Sequence, residues 1–247
     1  MGPAAALALL PGLVLGSFLN VVAARLPERR SVVRPRSTCS ACASAIAWHD
    51  NIPVVSYLLL RGRCRHCRTK IGLLHPAVEV ATAALLTGCV VAFGVSLRAL
   101  AAGVFCAALV VVTATDLTHR LVPNRVVVPA AVVVLALMTA DRPSPEWAVA
   151  AVGASGFLLA AALAYPAGMG MGDVKLALLM GAALGRTVTI GLLLGMFAAL
   201  VPSIVLLARH GARARKMAIP FAPFLALGSV IALFAGDALI DLYLTLF

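Results

Sequence analysis

The sequence is poor in charge. Of its 247 residues only 12% are Asp, Glu, Lys or Arg, where a soluble domain carries about a quarter, and the acids number just nine. Together with the excess of apolar residues, that shortage excludes a disordered chain and a charge-rich coiled coil. Six cysteines in this length are too few for a disulfide-dense secreted scaffold. No internal repeat and no low-complexity segment stands out. What the chain does have is hydrophobic residues, 62% of the total, with a mean hydropathy of +1.05. That is more apolar surface than one soluble core can hide, and a multi-pass membrane protein is the class that remains.

Apolar runs near the ~20 residues needed to cross ~30 Å of hydrocarbon fall at about 3–22, 76–95, 98–115, 122–140, 147–165, 187–208 and 218–246. A shorter apolar piece at 174–185 follows Asp173. If it crosses, packed among its neighbours, the chain has about eight spans; if it is re-entrant, seven. The first run has no basic lead-in and no A-x-A-like cleavage site after it, so a retained helix is expected rather than a removed signal.

The formal charge of +11 tests these alternatives. Cytoplasmic segments collect Lys and Arg. With eight spans and the N-terminus outside, the cytoplasmic side holds residues 25–75 with ten basic side chains. It also holds Arg120, Arg125, Lys175, Arg209, Arg213, Arg215 and Lys216. Only Arg98, Arg142 and Arg186 fall outside. A seven-span chain would put the Arg209–Lys216 group outside. The eight-span topology therefore fits better, and the charge requires no nucleic-acid partner.

The one long polar stretch, Arg25–His75, contains Cys39-x-x-Cys42 and Cys64-x-x-Cys67. Two such pairs on short turns can converge as four thiolates around tetrahedral zinc, a closed and therefore structural site. Six arginines, at positions 34, 36, 61, 63, 65 and 68, favour thiolate over thiol. A reducing cytosol favours metal over disulfide. Free or redox-paired cysteines are the alternative. His49, His66 and His75 lie nearby and are not taken as ligands, while Cys89 and Cys106 fall in apolar runs and read as packing residues.

Ionisable groups at membrane depth are costly and mark function by default. Glu79, Asp116 and Asp173 are the acids placed near the cytoplasmic face. Asp116 ends a span, and Asp173 follows Gly168-Met169-Gly170-Met171-Gly172. Glycine there removes side chains and permits φ > 0. Two carboxyls brought together would share a proton, one serving as base toward water and the other as acid toward a carbonyl. That chemistry suits peptide hydrolysis. Other readings stay open: Asp116 neutralised by His119 or Arg120, Asp173 as a helix N-cap, or Asp173 and Lys175 in a proton- or ion-coupled transporter. Glu79 would orient the site or contact a substrate, or else snorkel at the interface.

The chain resembles the bacterial type IV prepilin peptidases, which are GxGD aspartyl proteases. The resemblance runs nearly end to end. It rests on Gly16-Ser17-Phe18-Leu19-Asn20-Val21-Val22 with Arg25-Leu26-Pro27, the two CxxC pairs, Asp50-Asn51-Ile52-Pro53-Val54 and Leu59-Leu60-Arg61-Gly62-Arg63-Cys64. It continues through His75-Pro76-Ala77-Val78-Glu79, Asp116 with Val122-Pro123-Asn124, Gly170-Met171-Gly172-Asp173-Val174-Lys175-Leu176, and the Ile219–Gly228 segment. The chain departs at Cys67-Arg68-Thr69-Lys70, where the family commonly has a glycine.

The resemblance implies an all-α polytopic membrane protein of about eight helices. Residues 1–24 would form the first helix, 25–75 a cytosolic zinc-binding insertion on Cys39, Cys42, Cys64 and Cys67, and 76–247 the membrane peptidase domain. It further implies Asp116 and Asp173 as the catalytic dyad, cleaving the leaders of type IV prepilins and type II secretion pseudopilins after glycine. The site would face the cytosol from the inner membrane. S-adenosylmethionine would serve methylation of the new N-terminus, an activity associated with the cysteine-bearing region. No glycine-rich nucleotide fingerprint occurs there, and no residue is assigned to the methyl donor. Membrane lipid and prepilin substrates are the expected partners. A docking module built on the zinc island is the remaining alternative.

Overall fold

The computed structural model describes residues 3–34, 36–166, 169–211 and 219–246. Gly168, Arg213, Arg215 and Lys216, used above, lie outside them, as does residue 218 at the start of the last apolar run. Among the described residues the regular structure is helical, with two 3₁₀ turns at Trp48–Asn51 and Gly185–Thr187, an irregular stretch broken by α2 between α1 and α3, and two isolated bridges in place of strands. The helices are α1 (Pro3–Arg25), α2 (Val55–Leu59), α3 (Leu74–Phe93), α4 (Leu97–His119), α5 (Asn124–Asp141), α6 (Glu146–Ala164), α7 (Met171–Leu184), α8 (Val188–His210) and α9 (Ala222–Leu246). All but the short α2 track the apolar runs, because an unpaired backbone cannot be left in hydrocarbon and a helix satisfies it internally.

Seven stretches are long and apolar enough to cross a membrane. One of them, Met171–His210, contains two helices, parted by a turn at Gly185–Thr187 where Gly185 takes φ +55°. The first of these, α7, has 14 residues, or ~21 Å of helix. It nevertheless reaches from one end of the bundle to the other. Its Asp173 end lies beside the Asp116 end of α4, whereas Arg186, just past its far end, shares a cavity with Arg98 at the start of α4. So α7 runs antiparallel to α4. It can be short because it is enclosed: Leu176, Ala177, Leu179 and Met180 have no exposed surface.

At the Arg98 end, Arg98, Arg142 and Arg186 line a cavity of about 230 Å³ together with Asp141, Glu146 and Asp237. The Arg186 guanidinium donates to Asp237 at 2.8 Å, and its backbone N–H donates to Glu146 at 2.9 Å. Arg98 lies 3.9 Å from Asp237. These six residues gather the ends of α4, α5, α6, α7 and α9.

At the opposite end α1 lies tightly on α3. A Cβ at Gly12 would stand 2.7 Å from Ala83 Cα, and one at Gly16 2.7 Å from Glu79 Cα. Glycines four residues apart let two membrane helices approach backbone to backbone. A core of Leu19, Val22 and Ala23 from α1, Val78 from α3, and Val110, Val111 and Ala114 from α4 closes this corner. Cys89 and Cys106 sit in the α3–α4 seam with their sulfurs 3.8 Å apart, 1% exposed each, as packing residues.

Candidate functional site: an aspartate pair and a four-thiol island

Asp116 is 7% exposed, in the last turn of α4. Its Oδ2 accepts the backbone N–H of Ala222, the first residue of α9, at 3.1 Å, and the Phe221 amide also reaches it. A carboxylate at a helix N-terminus takes up orphan amides and meets the positive end of the dipole. Pro223 suits the first turn of α9, where a missing N–H is harmless. This gives the Ile219–Gly228 segment a physical role that was not legible in sequence, because the amides it presents carry no side-chain signature.

Asp173 is the third residue of α7, and its own N–H bonds Gly170 O at 3.1 Å. Gly170, not Asp173, occupies the N-cap position, so the capping alternative falls. The permission for φ > 0 is not used either: Gly170 has φ −84° and ψ 148°. Gly172 is required for space, since a Cβ there would meet Val122 Cβ at 2.7 Å. Helix α7 is thereby brought close to the Val122-Pro123-Asn124 segment that starts α5. The Asp116 carboxyl acts coulombically on Asp173, and the two acids converge at one end of the bundle from separate helices. Lys175 does not pair with Asp173; its Nζ donates to Asn124 Oδ1 at 3.0 Å. The lysine serves the α5–α7 contact, and a proton path through it loses its first link.

The four cysteines converge as the spacing predicts. The sulfurs of Cys39, Cys42, Cys64 and Cys67 all lie within 4.8 Å of one another, and Cys39 and Cys67 are 3.7 Å apart. Tetrahedral zinc with Zn–S of ~2.3 Å places sulfurs ~3.8 Å apart, so the set fits the metal. No histidine joins the cluster among the described residues.

The island holds a small repeat that the sequence conceals. In each knuckle the first cysteine's N–H bonds the carbonyl five residues on (Cys39 to Ser44, Cys64 to Thr69, both 2.9 Å), and its carbonyl accepts from the residue four on. That fourth residue is left-handed in both, Ala43 at φ 56° and Arg68 at φ 60°. A hydroxyl follows in both, Ser44 2.9 Å from the Cys42 sulfur and Thr69 3.3 Å from that of Cys67. The Thr69 hydroxyl, then its amide, pull the Cys67 thiol down to about 6. The repeat is one of backbone shape rather than of residue identity.

Two further contacts hold the island. Arg65 grips Asp50 with two parallel bonds of 2.8 and 2.6 Å, which keeps the Asp50 carboxyl below the usual range. Glu79 Oε2 accepts the Val54 N–H at 2.8 Å. Val54 stands at φ 60°, a conformation costly for a β-branched residue. Glu79 thus ties the island's turn to α3. Its partner is a backbone amide 25 residues away, which no side-chain pattern announces.

Comparison with known proteins follows this division. Residues 10–93 match the bacterial peptidase A24 N-terminal domain, and residues 103–206 match the type IV leader peptidase family. A Bacillus subtilis (strain 168) protein named prepilin leader peptidase/N-methyltransferase is 34% identical, the alignment covering 94% of this chain and 95% of that one. Proteins of the same name are 35% identical in Burkholderia pseudomallei (strain 1026b; 95% and 90% covered) and 37% in Myxococcus xanthus (80% and 62%). No solved structure matches the chain.

Proposed function

The chain belongs to the type IV leader peptidase family, and from that premise we propose that Asp116 and Asp173 cut prepilin leaders as an aspartyl pair. The observation that carries the proposal is the convergence of two carboxyls from α4 and α7, with Asp116 buried and held by the start of α9. Neighbouring carboxyls in a poorly hydrated site do not both ionise readily, so one proton is shared between them. The ionised member takes a proton from water as that water attacks the scissile carbonyl carbon. The protonated member donates to the carbonyl oxygen, and in collapse of the tetrahedral species a proton passes to the departing amine. The Ala222 amide fixes the Asp116 carboxyl through Oδ2. Family membership and the place of Lys175 leave no support for the transport alternative.

The same reading gives the enzyme its second activity, methylation of the new N-terminus, with S-adenosylmethionine as donor and zinc as the structural ion of the four thiols. The substrates are type IV prepilins and pseudopilins. The lopsided distribution of Lys and Arg supports an inner-membrane enzyme whose aspartates and island face the cytosol. By the same reading residues 1–24, 25–75 and 76–247 are the first helix, the zinc-binding insertion and the peptidase domain.

Cleavage by detergent-solubilised protein of a prepilin with a Gly-Phe junction tests the dyad. Asp116→Asn and Asp173→Asn are each expected to slow cleavage by at least about 10²–10⁴-fold. Cleavage at the wild-type rate in either variant defeats the assignment.

A further inference from the structure

The two aspartates are not held alike, and the difference gives them separate roles. We infer that Asp116 is the ionised member that takes a proton from the attacking water, that Asp173 is the protonated member that donates to the scissile carbonyl, and that the Ala222 amide is the positioning group that sets this order. The inference rests on the reading that the two acids form the catalytic pair.

The backbone of α9 shows why the amide matters. A helix leaves the N–H groups of its first turn without partners from within the helix. At the start of α9 those of Phe224 and Leu225 both bond Phe221 O, at 3.1 and 3.3 Å, and Pro223 has no N–H. The Ala222 amide is left over. Ala222 has no exposed surface, so water does not take up its N–H; Asp116 Oδ2 accepts it at 3.1 Å. A buried donor needs an acceptor at every pH, and a carboxylate accepts more strongly than a carboxylic acid. The bond therefore favours the charged form of Asp116.

Other neighbours point the same way. The Phe221 amide also reaches Asp116, and Arg120, the C-cap of α4, acts on it coulombically. Asp173 is reached by one amide, that of Gly170, and the nearby Lys175 is spent on Asn124 Oδ1. The remaining charged groups at this end are engaged elsewhere or exposed. Arg25 of α1 donates to Ser31 O and Glu79 of α3 accepts from Val54, while His75 on α3, His119 on α4 and Arg125 on α5 are exposed. Burial weighs on charge at either acid, so the difference in support decides which one keeps the proton. Asp116 accepts a proton from water as the water oxygen bonds the scissile carbonyl carbon, and Asp173 gives its proton to the carbonyl oxygen. On collapse the C–N bond breaks, the proton on Asp116 passes to the departing amine, and Asp173 regains its own.

The test deletes the Ala222 N–H by an amide-to-ester exchange, with lactic acid in place of alanine at that position. Ala222→Pro is the genetic version, at the first helical position, which suits proline. Far-ultraviolet circular dichroism in detergent reports that each variant is folded, and kcat/KM for prepilin cleavage is followed against pH. The acidic limb of that profile follows the ionised acid and the basic limb the protonated one. Loss of the N–H is expected to move the acidic limb up by about 1–2 pH units, and to move it further than the basic limb. A larger move of the basic limb reverses the two roles, and limbs that both stay in place make the amide merely structural. Either result overturns the inference and leaves the pair standing. Cleavage at the wild-type rate by Asp116→Asn or Asp173→Asn defeats the catalytic pair, and the inference with it.

Discussion

The aspartate end of the bundle and the four-thiol island meet at α1 and α3, yet they are held together by opposite means. Around Asp116 and Asp173 the interior is closed, and Phe105, Leu109, Leu176 and Leu225 have 1% exposure or less. Packing fixes the carboxyls there. In the island the 3₁₀ turn at Trp48–Asn51 and helix α2 contain no buried residue, and its strongest internal links are turns, the Asp50–Arg65 pair and the sulfurs. So small a region buries too little apolar surface to order itself, and on the proposed reading zinc on the four thiols would supply the staple. One region keeps its shape by packing; the other would take its shape from an ion.

Metal removal separates the two most sharply. Structural zinc is worth ~10–16 kcal/mol in small domains, so chelation or a Cys39→Ser/Cys64→Ser pair should unfold the island. Limited proteolysis should then cut within residues 36–72 and methylation should be lost, while prepilin cleavage persists. Simultaneous loss of both activities would erase the distinction.

The second test stays in the island. In the folded knuckles the Cys67 thiol is pulled down to about 6 while that of Cys39 lies above its ordinary value, so protons displace metal from Cys67 only at low pH. Thr69→Val removes the hydroxyl, should raise the Cys67 thiol toward the ordinary range near ~8.5 and should move acid release of bound zinc to higher pH. A chromophoric chelator read across a pH series measures the shift.

In the bundle, Gly172→Ala places a methyl 2.7 Å from Val122 Cβ and pushes α7 off the start of α5. A misplacement of ~1 Å at a reacting group can cost ~10²-fold, so cleavage should fall by about 10- to 10²-fold with methylation of pre-cleaved pilin unchanged. Val122→Gly, which removes the opposing Cβ, should restore it; Val122→Ala should not.

The smallest effect is expected at the left-handed residues. Arg68→Gly or Ala43→Gly relieves a conformation that costs ~1–2 kcal/mol, less the entropy that glycine adds to the unfolded chain. Slower zinc loss to a chelator, by a few-fold, is the expected reading. The same changes made at right-handed positions of the island should accelerate it.

These contrasts also explain what the sequence could tell. The two aspartates were conspicuous because nine acids in a chain this apolar leave few at membrane depth, and the CxxC pairs because their spacing is itself the geometry. Helix α7 was ambiguous because 14 residues are short for a span, and only its place among α4, α5 and α6 shows that it reaches both ends. The twin knuckles were hidden because Ala43 and Arg68 adopt a shape that glycine would have advertised. The bonds from Ala222 to Asp116 and from Val54 to Glu79 were hidden because a backbone amide has the same chemistry at every residue but proline.

The ionic knot of Arg98, Arg186 and Asp237 makes α4 and α7 a pair of tongs. Their pivots are fixed together at the Arg98 end, and their tips carry Asp116 and Asp173 some 20–27 Å away by helix rise. At that arm length a tilt of ~5° at the pivot moves the tips by ~2 Å. On the proposed reading the spacing of the two carboxyls would therefore be set in part from the Arg98 end of the bundle, by residues that never meet the substrate.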